Sequence, residues 1–394
     1  MKNPNMCVVC KGTKKMCGLS YCPVLSKINF QTKQKEEIKE YVFGPSNEIF
    51  VGSYGYPNVA IGPMVSSKDR AINGNELYGL SYEEIIQERL KLLRGKKNMF
   101  VTNRMENDMK EVALSIQSTD VEMNFSKKPY FNLQFSSVVE PMGASAPIKK
   151  YKVADNPKIP KKIDSVINDD ISASQGLEEL YFSGFDSYYA TKVLSTGVLG
   201  KDERKRLVPT RWSITATDDI LGKKLMDRIK DYPENNEILV FSNEFLYNHF
   251  EVLLLPGKWE FENFESWNPQ SIWAKGAKEA IITEEYESYW GRTKYADKQV
   301  GGYYASRMGV LEYLNYSRKQ ARVVVFREIK EGYIVPVGVW EIRENVRNAF
   351  LSKGKTFSTV SEALDDISSR LSTPINKYRK MSRMLSQSRI HEFF

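Results

Sequence analysis

Histidine is almost missing from this chain: its 394 residues hold only His249 and His391. A histidine cluster or a serine-histidine-aspartate triad therefore has little to be built from. Long apolar runs are missing as well. No stretch approaches the roughly eighteen apolar residues of a membrane-spanning helix, and the opening Met1-Lys2-Asn3-Pro4-Asn5 lacks the apolar centre of a signal peptide. The expectation is a cytoplasmic protein with no membrane partner. Cysteine is absent beyond residue 22, which argues against a chain stapled throughout by disulfides.

What is present is a composition of 41% hydrophobic and 27% charged residues, ordinary for a globular protein. The net charge of +8 is unevenly placed. Residues 1–40 carry eight Lys against three Glu, and residues 370–394 carry six Lys or Arg against Glu392 alone, so the body between is close to neutral. Basic ends on a neutral body suit phosphate neutralisation without sequence reading, and they equally suit solubilising tails.

The four cysteines, Cys7, Cys10, Cys17 and Cys22, stand together at the start of the chain. A Cys-x-x-Cys turn supplies two thiolates and the later pair can close a tetrahedron, which is the donor set of structural zinc. A four-cysteine iron-sulfur cluster uses the same ligands, and two disulfides remain a third arrangement. With no position left for water, a zinc ion here would hold a small basic knob in shape rather than catalyse.

Along the body, two short apolar runs flank Gly52-Ser53-Tyr54-Gly55-Tyr56-Pro57-Asn58 and predict a strand-turn-strand. Ser81 and Glu84 form a capping box ahead of a helix carrying Ile86, Leu90 and Leu93, and a second helix is predicted over 106–117 through Met109, Val112, Ala113 and Ile116. Helical patterns resume over 174–198, strands are expected at 238–241 and 251–255, and Ala321–Ile329 with Tyr333–Ile342 reads as a hairpin. A last helix over 358–371 shows Val360, Leu364, Ile367 and Leu371 on one face. Strands and helices without regular alternation predict an α+β fold, with a mixed-sheet body, a small N-terminal zinc knuckle and a flexible C-terminal tail. The expected organisation is a four-cysteine knob over 1–28 and an α+β body in two parts, 29–140 and 163–372. A Pro-rich loop or crossing over 141–162 and a basic tail over 373–394 complete it.

The chain closes on Gln387-Ser388-Arg389-Ile390-His391-Glu392-Phe393-Phe394. Gln387, Ile390, Phe393 and Phe394 fit Gln-x-x-aliphatic-x-x-aromatic-aromatic, the pattern of a sliding-clamp-binding peptide. In one 3₁₀ turn, residues three apart eclipse, so Ile390 and Phe393 would project together as a plug beside Phe394.

The cysteine knob, Val51–Val59, Asn156–Lys162, the block Val208-Pro209-Thr210-Arg211-Trp212-Ser213-Ile214-Thr215-Ala216-Thr217-Asp218-Asp219 and the terminal peptide together resemble the archaeal Nre family, from end to end. The resemblance implies DNA-damage repair, binding to the PCNA sliding clamp through the terminal peptide, and a C4 metal site. It implies association with the nucleoid, but supplies no catalytic mechanism.

The body offers several candidates of its own. Arg211 is a fork for phosphate, Trp212 a stacking surface, and Gly52, Ser53 and Tyr54 lie on a turn whose amides could meet a phosphate. Asp218 and Asp219, with Arg211, are candidates for catalysis: paired carboxylates hold Mg²⁺ in nucleases, whereas acids at a helix start are commonly caps. Tyr303, Tyr304 and Arg307 make a second candidate surface, and His249 reads as a structural group. Three functions fit: a DNA-repair factor whose body binds DNA or a nucleotide, a non-catalytic adaptor for other repair proteins, and a metal-dependent nuclease or other nucleic-acid hydrolase.

Overall fold

A computed structural model describes residues 10, 38–66, 74–131, 142–269, 271, 273–274, 277–333 and 336–386. The described residues divide into two compact units, the first ending at Leu221 and the second beginning at Gly222.

The first unit is built on a closed barrel of β1 (Tyr41–Val51), β2 (Asn58–Ser66), β3 (Leu92–Phe100), β4 (Thr119–Phe125) and β5 (Ser145–Val153), in the order β1-β2-β3-β5-β4. All neighbours run antiparallel except β3 and β5, and β1 closes against β4. Alternation writes the barrel. Val59, Ile61 and Val65 of β2 and Val121, Met123 and Phe125 of β4 point into one core with Ile49 and Val51, because successive strand residues face opposite sides. The predicted strand-turn-strand is β1 and β2, with Gly55 at φ +80° in the turn, a conformation that costs glycine little.

Helix α1 (Tyr82–Lys91) begins on the predicted capping box, the Ser81 hydroxyl accepting from the Glu84 amide and the Glu84 carboxylate accepting from the Ser81 amide. It is shorter than expected: Leu93 already lies in β3 and faces the barrel core. Helix α2 (Asn107–Leu114) joins β3 to β4 and stops before Ile116, which is exposed. The stretch 141–162, expected as a loop or crossing, contains β5; its Pro147 pairs with Lys96 in the barrel. α3 (Lys161–Asn168), α4 (Ala173–Phe182) and α5 (Ser187–Ser195) follow, and α6 (Thr210–Ile229) carries the chain from one unit into the next.

The second unit is a six-stranded sheet of β6 (Ile238–Phe245), β7 (Asn248–Leu255), β8 (Glu260–Trp267), β9 (Ile281–Glu287), β10 (Arg322–Ile329) and β11 (Lys355–Phe357), ordered β11-β6-β7-β10-β8-β9 with β8 and β10 parallel. Its helices are α7 (Gly301–Ser317), α8 (Trp340–Ala349), α9 (Val360–Ser368), α10 (Ile375–Met381) and α11 (Arg383–Ser386). On one face Val324, Phe326, Phe264 and Leu253 pack with Leu364 and Ile367 of α9 and with Tyr378 of α10.

The opposite face is buried and holds a polar network among apolar side chains such as Val323, Val325, Val252 and Phe261. Arg327 gives Nη1 to Glu265 Oε1 at 2.7 Å and Nε and Nη2 to Asn248 Oδ1 at 3.0 and 2.7 Å. Its Nη2 also lies 3.5 Å from Glu341 Oε2. Glu341 Oε1 accepts from Asn345 Nδ2 at 3.0 Å. Burial pushes Glu341 up to about 7, against the pull of Arg327. Arg307 pairs with Glu287, which also accepts from Tyr303 Oη at 3.1 Å and Trp259 Nε1 at 3.3 Å.

Three expectations change here. Tyr333–Ile342 is not the second arm of a hairpin: Gly338 turns at φ +105° into helix α8, whose Glu341, Arg343, Glu344 and Asn345 are buried. Tyr303, Tyr304 and Arg307, expected as a surface, are also buried. The tail expected from 373 is ordered by packing as far as Ser386, with Tyr378 and Met384 in the core, and Glu262 accepting from the Arg383 amide at 2.7 Å. Apolar side chains spaced between cations, with no acidic residue in 371–391, made this stretch read as solvated. His249 is structural, its Nε2 2.7 Å from Glu251 Oε1.

Candidate nucleic-acid interface

At one end of the barrel three chain segments meet: the β1–β2 turn, the end of β3, and the entry to α6. Backbone bonds fix them to one another. Val101 N donates to Pro57 O at 2.9 Å, and Leu207 N donates to Val101 O at 2.8 Å. Val51 N donates to Thr210 Oγ1 at 2.9 Å. The Pro209 carbonyl takes the first helical bond of α6 from Ser213 N at 2.9 Å. Proline just before the first turn suits a helix start because it fixes φ and has no amide proton to satisfy.

This joinery leaves aromatic rings facing water. Tyr54 is 97% exposed, Phe100 53%, Tyr56 47% and Trp212 45%. The Tyr56 and Trp212 rings lie 5.0 Å apart at 51°. Apolar rings of this size usually lie inside, and four at the edge of one barrel form a surface on which flat, apolar ligand faces can stack. Arg206 and Arg211, both exposed, flank the Leu207–Thr210 entry. Arg104, near the end of β3, is also solvent-facing and reaches Asp202 O at 3.3 Å.

The structure thus brings together Gly52, Ser53, Tyr54, Arg211 and Trp212, from two blocks more than 150 residues apart in sequence. Within the turn, the amides of Gly52, Tyr56 and Asn58 are spent on Ala60 O, Ser53 O and Gly55 O. These three amides do not form a phosphate cradle.

Asp218 and Asp219 do not join this surface as a pair. Both lie in the middle of α6, so they are not its cap; the helix starts at Thr210. Adjacent helix residues point about 100° apart, and Asp218 is fully buried while Asp219 is half-buried. Among the described residues no three His, Cys, Asp or Glu side chains gather into a metal-binding group. Of the cysteine knob only Cys10 is described, and it is buried; Cys7, Cys17 and Cys22 lie outside the described residues, as do Gln387, Ile390, Phe393 and Phe394. Tyr56 and Phe100 were not singled out from the sequence. Tyr56 had a signal, since it sits in the same glycine-rich turn as Tyr54. Phe100 had none, because only the first two residues of its strand were read, as the end of a helix.

The fold defines an α+β protein: a closed five-stranded barrel and a six-stranded mixed sheet, with no helix among the described residues long and apolar enough to cross a membrane. Residues 16–274 match the N-terminal model of archaeal Nre proteins and residues 287–393 match the C-terminal model. The chain belongs to the archaeal Nre family. It is 40% identical over 377 residues to DNA repair protein NreA of Archaeoglobus fulgidus, covering 93% of each chain. It is 36% identical over 369 residues to DNA repair protein NreA of Haloferax volcanii, covering 89% of this chain and 88% of that one. To DNA repair protein NreB of Archaeoglobus fulgidus it is 33% identical over 391 residues, 97% of each.

Proposed function

We propose that this protein is a DNA-damage repair factor, brought to DNA by the PCNA sliding clamp through Gln387, Ile390, Phe393 and Phe394, whose barrel binds DNA. Relatives that cover nearly the whole chain carry the name DNA repair protein. The single observation that carries the DNA-binding part is the exposed cluster of Tyr54, Tyr56, Phe100 and Trp212 beside Arg206 and Arg211. A tethered body needs only modest affinity, because a leash to the clamp raises its local concentration on DNA. No metal-dependent cleavage is assigned to Asp218 and Asp219, since one is enclosed and they point apart. A binding factor, rather than a nuclease built on that pair, accounts best for the surface.

Stacking on one aromatic side chain contributes about 1–3 kcal/mol per base. Tyr54→Ala with Trp212→Ala is therefore expected to weaken DNA binding by roughly tenfold or more, measured by fluorescence anisotropy, with the thermal midpoint unchanged because both rings face water. Unchanged affinity would move the interface elsewhere.

The four thiolates of Cys7, Cys10, Cys17 and Cys22 fit structural zinc in number and softness. Metal analysis of the purified chain is expected to return about one zinc per chain. Iron with a visible absorption band would assign a cluster to the same ligands.

A further inference from the structure

We infer that the outer face of β2 and β3 is a track for single-stranded DNA, running on from the aromatic end of the barrel; this rests on the DNA-binding reading above and names its substrate. The strand order β1-β2-β3-β5-β4, with β3 and β5 parallel and α2 between β3 and β4, is that of oligonucleotide-binding barrels. Those barrels take their ligand on the face of strands 2 and 3, between the β1–β2 and β4–β5 connections. Topology alone assigns no ligand. The side chains on that face do.

Arg94, Lys96, Asn98 and Phe100 alternate along β3 with residues directed to the core side, so they share the outward face over roughly 20 Å. Asn98 and Phe100 pair across to Ala60 and Asn58 of β2. Arg94 is only 7% exposed. It lies 5.2 Å from the centroid of the Phe50 ring, gives Nη1 to Met142 Sδ at 3.2 Å, and its Nε has no hydrogen-bond partner. Lys96 stands two residues further on the same face. Burial holds both cations below their ordinary pKa, and for Lys96 the charge of Arg94 adds to the effect.

Among the described residues neither cation has an ion-pair partner. Arg94 is enclosed and Lys96 is half-buried on the same face; like charges repel each other, and burying a charge without a counter-charge is costly. An anion entering this face relieves both terms. Stacking rings border the same face at its two ends. Tyr56 and Phe100 are at one, and at the other Tyr130 is 53% exposed with Lys127 Nζ 5.4 Å from its centroid. Phosphates on Arg94 and Lys96 with bases on flanking rings is the chemistry of an unpaired strand. The base faces of a duplex are already stacked on one another and cannot use the rings.

The test uses the full chain and labelled oligonucleotides of about 20 nucleotides, a size that spans the usual site of such a barrel: single-stranded DNA, the same sequence as duplex, and the same sequence as RNA. The single DNA strand is expected to bind at least tenfold more tightly than the duplex and more tightly than RNA. Phe100→Ala weakens it by roughly tenfold. Lys96→Gln lowers the slope of log affinity against log salt by about 0.7, the share of one phosphate on a single strand. Thermal melting of both variants checks that the barrel is intact. Equal affinity for duplex and single strand, tighter binding of RNA, or two folded variants that bind like the parent would overturn the inference. Duplex binding that depends on Tyr54 and Trp212 without a single-strand preference leaves the proposed function standing, whereas no binding to any of the three overturns both.

Discussion

Removing Gln387–Phe394 is expected to abolish binding to an archaeal PCNA clamp: in calorimetry the full chain should give a saturable isotherm and the truncated chain no heat above dilution. In the proposed contact three apolar anchors would carry the interaction, since a few buried side chains usually supply most of the energy of such a contact. Replacing Phe393 and Phe394 by Ala together should weaken binding at least a hundredfold, about 3 kcal/mol. The truncation should leave the thermal midpoint where it is. Among the described residues the second unit is already held at its end by Met384 in the core and Leu385 against it, and by Glu262 on the amide of Arg383. A clamp isotherm unchanged by the truncation would place the clamp contact elsewhere in the chain.

The second large effect is on stability. Arg327→Met removes the only cation within ion-pair distance of Glu265 or Glu341 among the described residues, and leaves two enclosed carboxylates behind. Breaking a buried pair from one side costs about 3–5 kcal/mol, a large part of the whole stability of a domain. Urea unfolding of the full chain should show this as a lowered midpoint.

Glu341 also gives the fold a pH dependence. Glu341 is held at about 7, chiefly by burial, against an ordinary 4.5. In the window between those values the folded state keeps a proton that the unfolded state has released. Its contribution to stability is therefore fully present below the ordinary value and is lost as pH rises through about 7. Glu341→Gln keeps the neutral shape and an oxygen for Asn345, so it should remove this part of the decline between pH 5 and 8. Parallel stability curves for the parent and Glu341→Gln would contradict it.

Local signals survived translation into structure, and long-range ones did not. The β1–β2 turn was legible because Gly52, Gly55 and Pro57 punctuate two apolar runs. The cap of α1 was legible because Ser81 and Glu84 satisfy each other three residues apart. The α+β class followed from the irregular mixture of patterns. What failed was the stretch after α1, where the predicted helix ran on to Leu93, two residues short of Gly95. It is a strand residue at a crowded place in the barrel: a Cβ there would lie 2.6 Å from Met123 Sδ. With β3 misread, the outward row from Arg94 to Phe100 was invisible. β8 and α8 failed for another reason. Glu262, Glu265, Glu341 and Arg343 look solvated in a sequence, and only partners such as Arg327, which lies 62 residues from Glu265, allow them inside.

Of the candidate site, Tyr54, Arg211 and Trp212 were recognisable by residue type, and their meeting was not. Tyr56 and Trp212 are 156 positions apart, and a backbone bond from Val51 to the Thr210 hydroxyl ties their segments together. Asp218 and Asp219 look like a pair in one dimension and are separated by the turn of a helix in three.

The central claim is that DNA lies on the barrel end where those segments meet, and photocrosslinking tests it most directly. Oligonucleotides carrying 5-iododeoxyuridine are irradiated on the full chain, and the adducts are mapped by mass spectrometry. The account predicts adducts on Tyr54, Tyr56, Phe100 or Trp212; adducts confined to residues 222–386, with none on the barrel, would contradict it.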